Sequence, residues 1–135
     1  MVGTSFASLE GWETDLAKAK ELAKKEKKSV LVEFTGSDWC PPCIHMRKEV
    51  FSKQEFVNQV KKNYVLVELD FPKKDAELAK KNRPLAEEYK IDGYPTIILL
   101  DSEGKEFSRF TASEYPDIDS FVKALNDRLE KKDLD

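Results

Sequence analysis

Cys40 and Cys43 stand three positions apart in the stretch GSDWCPPCIHM, with Trp39 before them and Pro41 and Pro42 between them. They are the only two cysteines of the chain, so any thiol chemistry belongs to this pair. A dithiol at this spacing can close into a disulfide and reopen by exchange, with the thiolate as the attacking species. The rival use of the spacing is half of a zinc site. Zinc takes four ligands, and the chain offers two thiols and one histidine, His45. On a helix, His45 is splayed away from the pair. Redox chemistry is therefore the favoured reading, needing no metal and no organic cofactor, and His45 reads as a surface side chain. Thiolates also suit copper(I), so a copper(I)-binding chaperone stands as the alternative, together with a non-catalytic binding module.

The prolines have a reason to be there. A helix N-terminus carries unpaired N–H groups and about half a positive charge. If Cys40 is the N-cap, Pro41 and Pro42 fall at the first two helical positions, where a missing N–H costs nothing. The N–H of Cys43 then points at the Cys40 sulfur. That donor and the dipole lower the Cys40 pKa below the free-thiol value of about 8.5. The prolines stiffen the turn, but they also remove donors, so an extreme shift is not expected.

The elements that must hold this turn can be read outward from it. SVLVEF, Ser29 to Phe34, is a buried strand leading into the motif. Before it, Thr14 caps a helix over about Asp15 to Lys27. After it, a helix runs to about Val50, and SKQE, Ser52 to Glu55, forms a capping box that restarts it toward Lys61. YVLVELDF, Tyr64 to Phe71, is a second interior strand. A charged helical stretch covers about Asp75 to Tyr89, with Pro84 opening a short helix, PLAEEYK. PTIILL and KEFSRF flank the DSEG turn as a hairpin. A last helix over about Asp117 to Lys131 puts Ile118, Phe121, Val122, Leu125 and Leu129 on one face. Residues 1–11 read as a loose lead-in, with a short edge strand near Phe6. The order implies an α/β fold: a mixed central sheet with helices on both faces and an antiparallel hairpin at one edge. The cysteines then lie where a strand ends and a helix begins, the usual place for chemistry in such sheets.

Composition narrows the function classes. The 135 residues suit a single domain, 1–135, with its own core. Net charge is −3, from 23 basic and 26 acidic residues, which argues against a nucleic-acid partner. No apolar run reaches the roughly 20 residues of a membrane span. MVGTSFASLEGWETD lacks the basic start and apolar centre of a secretory leader, which fits a cytoplasmic protein or a mature domain without its leader.

WCPPC at a strand-to-helix junction, followed by GYPT at Gly93 to Thr96 before the hairpin strand, resembles the thioredoxin superfamily over about residues 12–131. The stretch from Phe34 to Asp70 is similar to bacterial thioredoxin-like thiol:disulfide interchange proteins. The resemblance implies a monomeric thiol–disulfide oxidoreductase that reduces or isomerises protein or peptide disulfides and is recharged by an electron-donor thiol protein. Cys40 is the expected nucleophile and exposed thiol, and Cys43 the protected, resolving one. Pro95 matches the family's cis-proline facing the cysteines, and Trp39, Tyr94 and Pro95 are expected to line the substrate groove. A periplasmic or other extracytoplasmic location is favoured by the same resemblance. Two departures stand out. Glu33 lies on the strand where thioredoxin has a buried aspartate, but one residue further from the cysteines; it is either the proton acceptor for Cys43 or a strand-end carboxylate in water. Thioredoxin's buried lysine has no clear counterpart, and Glu68 occupies that neighbourhood.

Overall fold

The structure, a computed structural model, describes residues 9–134. The elements in order are α1 (Leu16–Glu26), β1 (Ser29–Thr35), α2 (Pro41–Met46), a π-helical turn (Arg47–Phe51), α3 (Gln54–Val60) and β2 (Tyr64–Asp70). They continue with α4 (Ala76–Glu88), β3 (Thr96–Leu100), β4 (Glu106–Thr111), a 3-10 turn (Ala112–Glu114) and α5 (Ile118–Leu134). The strands form one sheet in the order β2-β1-β3-β4. The β1–β2 pair is parallel and the other two are antiparallel, so β1 sits inside the sheet and its end is fixed from both sides.

All seven residues of β1 are buried. Because strand side chains alternate, each face of the sheet receives every second residue. Val30, Val32 and Phe34 pack with Leu16, Ala19 and Ala23 of α1, with Leu85 of α4 and with Tyr89, its C-cap. Leu31 faces the opposite layer with Met46, Phe51, Phe56, Phe121 and Leu125. Glu33 and Thr35 share the Leu31 face by the same alternation, which turns a carboxyl toward the helix that carries the cysteines. Phe121 meets Phe51 edge-on with ring centroids 5.2 Å apart, and burying such a ring is worth about 1.5–3 kcal/mol.

Three local expectations need correction. Asp15, not Thr14, caps α1, accepting the Lys18 N–H at 3.1 Å. The SKQE capping box does not form: Lys53 is the N-cap of α3 without a side-chain bond, and the Ser52 hydroxyl turns back to the Lys48 carbonyl. The preceding helix has widened into a π turn closed by Ser52 N–H on the Arg47 carbonyl, which uses Ser52 as its end rather than as a new start. Pro84 lies inside a continuous α4 instead of opening a helix. Pro84 and Lys80 are both exposed, so water can serve the carbonyl that loses its partner. The strand expected near Phe6 falls outside the described residues; just before α1, Glu13 makes a parallel bridge to Val67 at the β2 edge.

Candidate active site

β1 ends at Thr35, and five residues later Cys40 caps α2 in extended geometry, with Pro41 and Pro42 at the first two helical positions. The Cys40 sulfur accepts the Cys43 N–H at 3.4 Å. The two sulfurs are joined as a disulfide, with Cα atoms 5.2 Å apart. Cys43 is fully buried and its sulfur accepts the Gly36 N–H at 3.5 Å. Cys40 is the more accessible of the two, but at 4% exposure it is far from the projecting thiol expected of it. The loop folds back over it, and its sulfur lies 3.8 Å from the Tyr94 carbonyl.

The loop from Gly36 to Trp39 is pinned at every position. Trp39 and Cys40 both donate their N–H to the Gly36 carbonyl. Ser37 donates its N–H and its hydroxyl to Asp70 at the end of β2. Asp38 accepts the Lys73 and Lys74 N–H groups, each at 2.9 Å, and these backbone bonds hold its carboxyl below the usual aspartate range. The Trp39 indole N–H donates to the Phe71 carbonyl at 2.8 Å, and the ring meets Tyr94 edge-on at 5.6 Å. Trp39 still keeps 37% of its surface open, forming a flat apolar wall beside the cysteines. Across from it, the Tyr94–Pro95 peptide is cis, and the Pro95 carbonyl accepts the Ala112 N–H at 3.0 Å. Trp39, Tyr94 and Cys40 are thus brought together, with Pro95 next in the chain. His45 points elsewhere, exposed and 3.2 Å from the Pro116 carbonyl.

Gly36 is set by this packing. A Cβ there would stand 2.6 Å from the Trp39 Nε1 and closer still to the ring carbons. The indole is held by its bond to Phe71 and cannot yield freely. Gly36→Ala is therefore expected to expel Trp39 and destabilise the fold by about 1–3 kcal/mol. Denaturant unfolding and the Trp39 emission maximum check this; an unshifted emission with unchanged stability contradicts it.

A buried acid cluster lies on the sheet face that packs against Met46 of α2. Glu33 and Glu68 are register partners on β1 and β2, and Asp70 follows two residues later on the same face. Glu33 is 1% exposed, which rules out the strand-end carboxylate in water. Its Oε2 has no hydrogen-bond partner among the described residues. Burial, and then the neighbouring Glu68, push its pKa well above the ordinary value. Glu68 is raised by burial to about 7, against the pull of Arg47, whose guanidinium forms an ion pair with its Oε2. The cation missing from β2 is thus supplied by the helix. Arg47 was not singled out from the sequence, yet it lies four residues after Cys43, on the same helical face. Asn82 is a second residue that sequence reasoning passed over; buried, it donates to the Asp70 carbonyl at 2.9 Å.

A parallel–antiparallel sheet with a cysteine-capped helix at the end of its inner strand, faced by a cis-proline turn, defines a thioredoxin-like domain. The chain belongs to the thioredoxin-like domain family, whose model matches residues 16–128. It is 38% identical over 101 residues to the disulfide bond reductase DsbH of Chlamydia pneumoniae, covering 73% of this chain and 60% of that protein. A solved DsbH oxidoreductase structure superposes with a TM-score of 0.77 at 33% identity, over 92% of this chain and 86% of that one. The thiol:disulfide interchange protein DsbD of Yersinia pestis is 29% identical over 77% of this chain but only 16% of its own length. The chain therefore spans 60% or less of these sequence relatives.

Proposed function

We propose that this chain is a single-domain protein disulfide reductase whose nucleophile is Cys40. The observation that carries the reading is the asymmetry of the pair: Cys40 sits at the helix start with a donor aimed at its sulfur, and Cys43 is sealed beneath it. Reduced Cys40, as thiolate, attacks one sulfur of a substrate disulfide, and the other sulfur leaves as thiolate. Cys43 loses its proton and attacks Cys40, which re-forms the internal disulfide and releases the second substrate thiol. Two electrons pass to the substrate, and a thiol protein returns them by the reverse exchange. Trp39, Tyr94 and Pro95 form the walls against which an extended substrate segment lies, with the Tyr94 carbonyl next to the reacting sulfur.

The reductive direction is supported by the DsbH relative, whose name is disulfide bond reductase; protein disulfides as substrates and a thiol protein as electron source belong to the same proposal. An extracytoplasmic location fits the same relatives, and the domain acts as a monomer. Two measurements test the proposal. With dithiothreitol as electron source, the protein is expected to accelerate insulin reduction, and its glutathione redox titration should give a potential on the reducing side of the glutathione couple. Stoichiometric copper(I) binding with no insulin turnover would replace this reading with the chaperone.

A further inference from the structure

The wall beside Cys40 carries a charge that the exchange chemistry does not use. β2 ends at Asp70, and Phe71, Pro72, Lys73 and Lys74 then lead toward α4. Lys73 and Lys74 both donate their backbone N–H to Asp38, the residue before Trp39. Phe71 is tied to the same loop, because its carbonyl accepts the indole N–H. The segment and the indole are thus held as one unit. Within it the Lys73 ammonium rests over the Trp39 ring, 5.7 Å from the centroid. This is the ring that meets Tyr94 edge-on and keeps an open apolar face beside the cysteines. Lys73 is itself exposed, and its ammonium pairs with no carboxylate among the described residues.

The acids of the same rim are already engaged. Asp38 holds the two lysine N–H groups, and the charge of Lys74 also acts on it. Asp70 is occupied by the N–H and hydroxyl of Ser37. Asp75 caps α4 by accepting the Leu78 N–H at 3.1 Å. Arg83 of α4 is a second cation at this wall, near enough to Tyr94 for its charge to act on the phenol. In a chain whose net charge is −3, the surface around Trp39 and Tyr94 therefore offers uncommitted positive charge beside an apolar wall.

We propose that Lys73 is a specificity-determining residue, which selects protein disulfides whose cysteine is flanked by Asp or Glu. The inference rests on the reductase reading above. A substrate segment extended along Trp39 and Tyr94 places the residues next to its cysteine within about 7 Å of the attacked sulfur. A lysine on a flexible four-carbon stem, anchored at the base of that wall, reaches a carboxylate there. The backbone of Lys73 is already fixed by Asp38, so the pair forms without ordering the segment first. The ammonium can serve the carboxylate and stay beside the indole, whereas a substrate lysine at the same place is repelled. Charge at a rim acts mainly on encounter, so the selection appears in the second-order rate of mixed-disulfide formation. The exchange itself is unchanged: Cys40 attacks, and the same bonds form and break.

The test uses two short peptides, each closed by one disulfide and alike except beside the first cysteine, where one carries Asp on both sides and the other Lys. The second-order rate of reduction by the reduced native protein is measured for each. At low salt the Asp peptide should react about three- to tenfold faster. The ratio should shrink toward one at 1 M salt, where the Debye length is about 3 Å. Neither measurement needs a variant to fold. Lys73→Arg should keep the preference, Lys73→Gln should reduce it, and Lys73→Glu should reverse its order. Both rates come from one protein, so a change in the reactivity of Cys40 cancels from the ratio. A merely structural role for Lys73 would slow both peptides alike and leave the ratio as it was. An unchanged ratio in Lys73→Glu overturns the inference, as does a native protein that reduces both peptides at equal rates. A native protein that reduces neither peptide overturns the reductase reading, and this inference with it.

Discussion

Cys40→Ser is expected to abolish insulin reduction, whereas Cys43→Ser should still react with the substrate and accumulate as a mixed disulfide. A serine hydroxyl at the helix start has no accessible alkoxide at neutral pH, and no second thiol stands where Cys40 meets the Tyr94–Pro95 turn. The loss of turnover is expected to exceed about a thousandfold, the scale seen when an enzyme loses its covalent nucleophile. In Cys43→Ser the first exchange survives, because the Cys43 position supplies its backbone N–H to the Cys40 sulfur, and a serine keeps that group. What fails is the escape from the mixed disulfide. Non-reducing electrophoresis with mass analysis of the adduct distinguishes the two variants. Equal turnover loss with no trapped adduct in Cys43→Ser would reverse the assignment of roles. In the reduced native protein, alkylation should mark Cys40 first. Its 4% exposure in the disulfide form makes that reaction slower than for a free surface thiol.

How far these roles could be read in advance depends on the range of the interactions that create them. The cap geometry of Cys40 was legible because it is local: N-cap, two prolines and a returning N–H lie within four consecutive residues. The continuous burial of β1 and the apolar face of α5 were legible for the same reason. The signals that misled were also local, but they met tertiary competitors. Ser52 and Glu55 have the residue types of a capping box, yet the helix ahead of them widened into a π turn and took Ser52 as its terminus. Pro84 has the look of a helix start, but the packing of Leu85, Ala86 and Tyr89 against the sheet carries α4 through it. Gly36 looks like an ordinary loop glycine until the indole of Trp39 is seen lying on it. The acid cluster is the clearest case. Glu33 and Glu68 are 35 positions apart, and only the parallel register of β1 and β2 makes them neighbours. The i, i+4 spacing of Cys43 and Arg47 was available beforehand; that a carboxylate would meet Arg47 was not.

Glu33→Gln is expected to stabilise the protein at pH 8 and to leave it nearly unchanged at pH 5. Burial and the neighbouring Glu68 raise the Glu33 pKa in the folded chain well above its ordinary value, whereas the unfolded chain returns it to that value of about 4.3. Between these two values the folded state binds a proton that the unfolded state lacks. Stability therefore falls as pH rises across that window. The benefit of the raised pKa is complete below about 4.3 and is lost as pH climbs through the folded value. Glu68 adds a slope of the same sign, ending near its own value of about 7. A neutral amide at position 33 removes the Glu33 share of this slope. The gain at pH 8 should be about 1–3 kcal/mol, the cost of a buried polar group without a full set of partners. Urea unfolding of both proteins between pH 5 and pH 8 gives the difference directly. A Gln variant that is destabilised equally at both ends would mean that Glu33 is held ionised by Arg47, not kept protonated by burial.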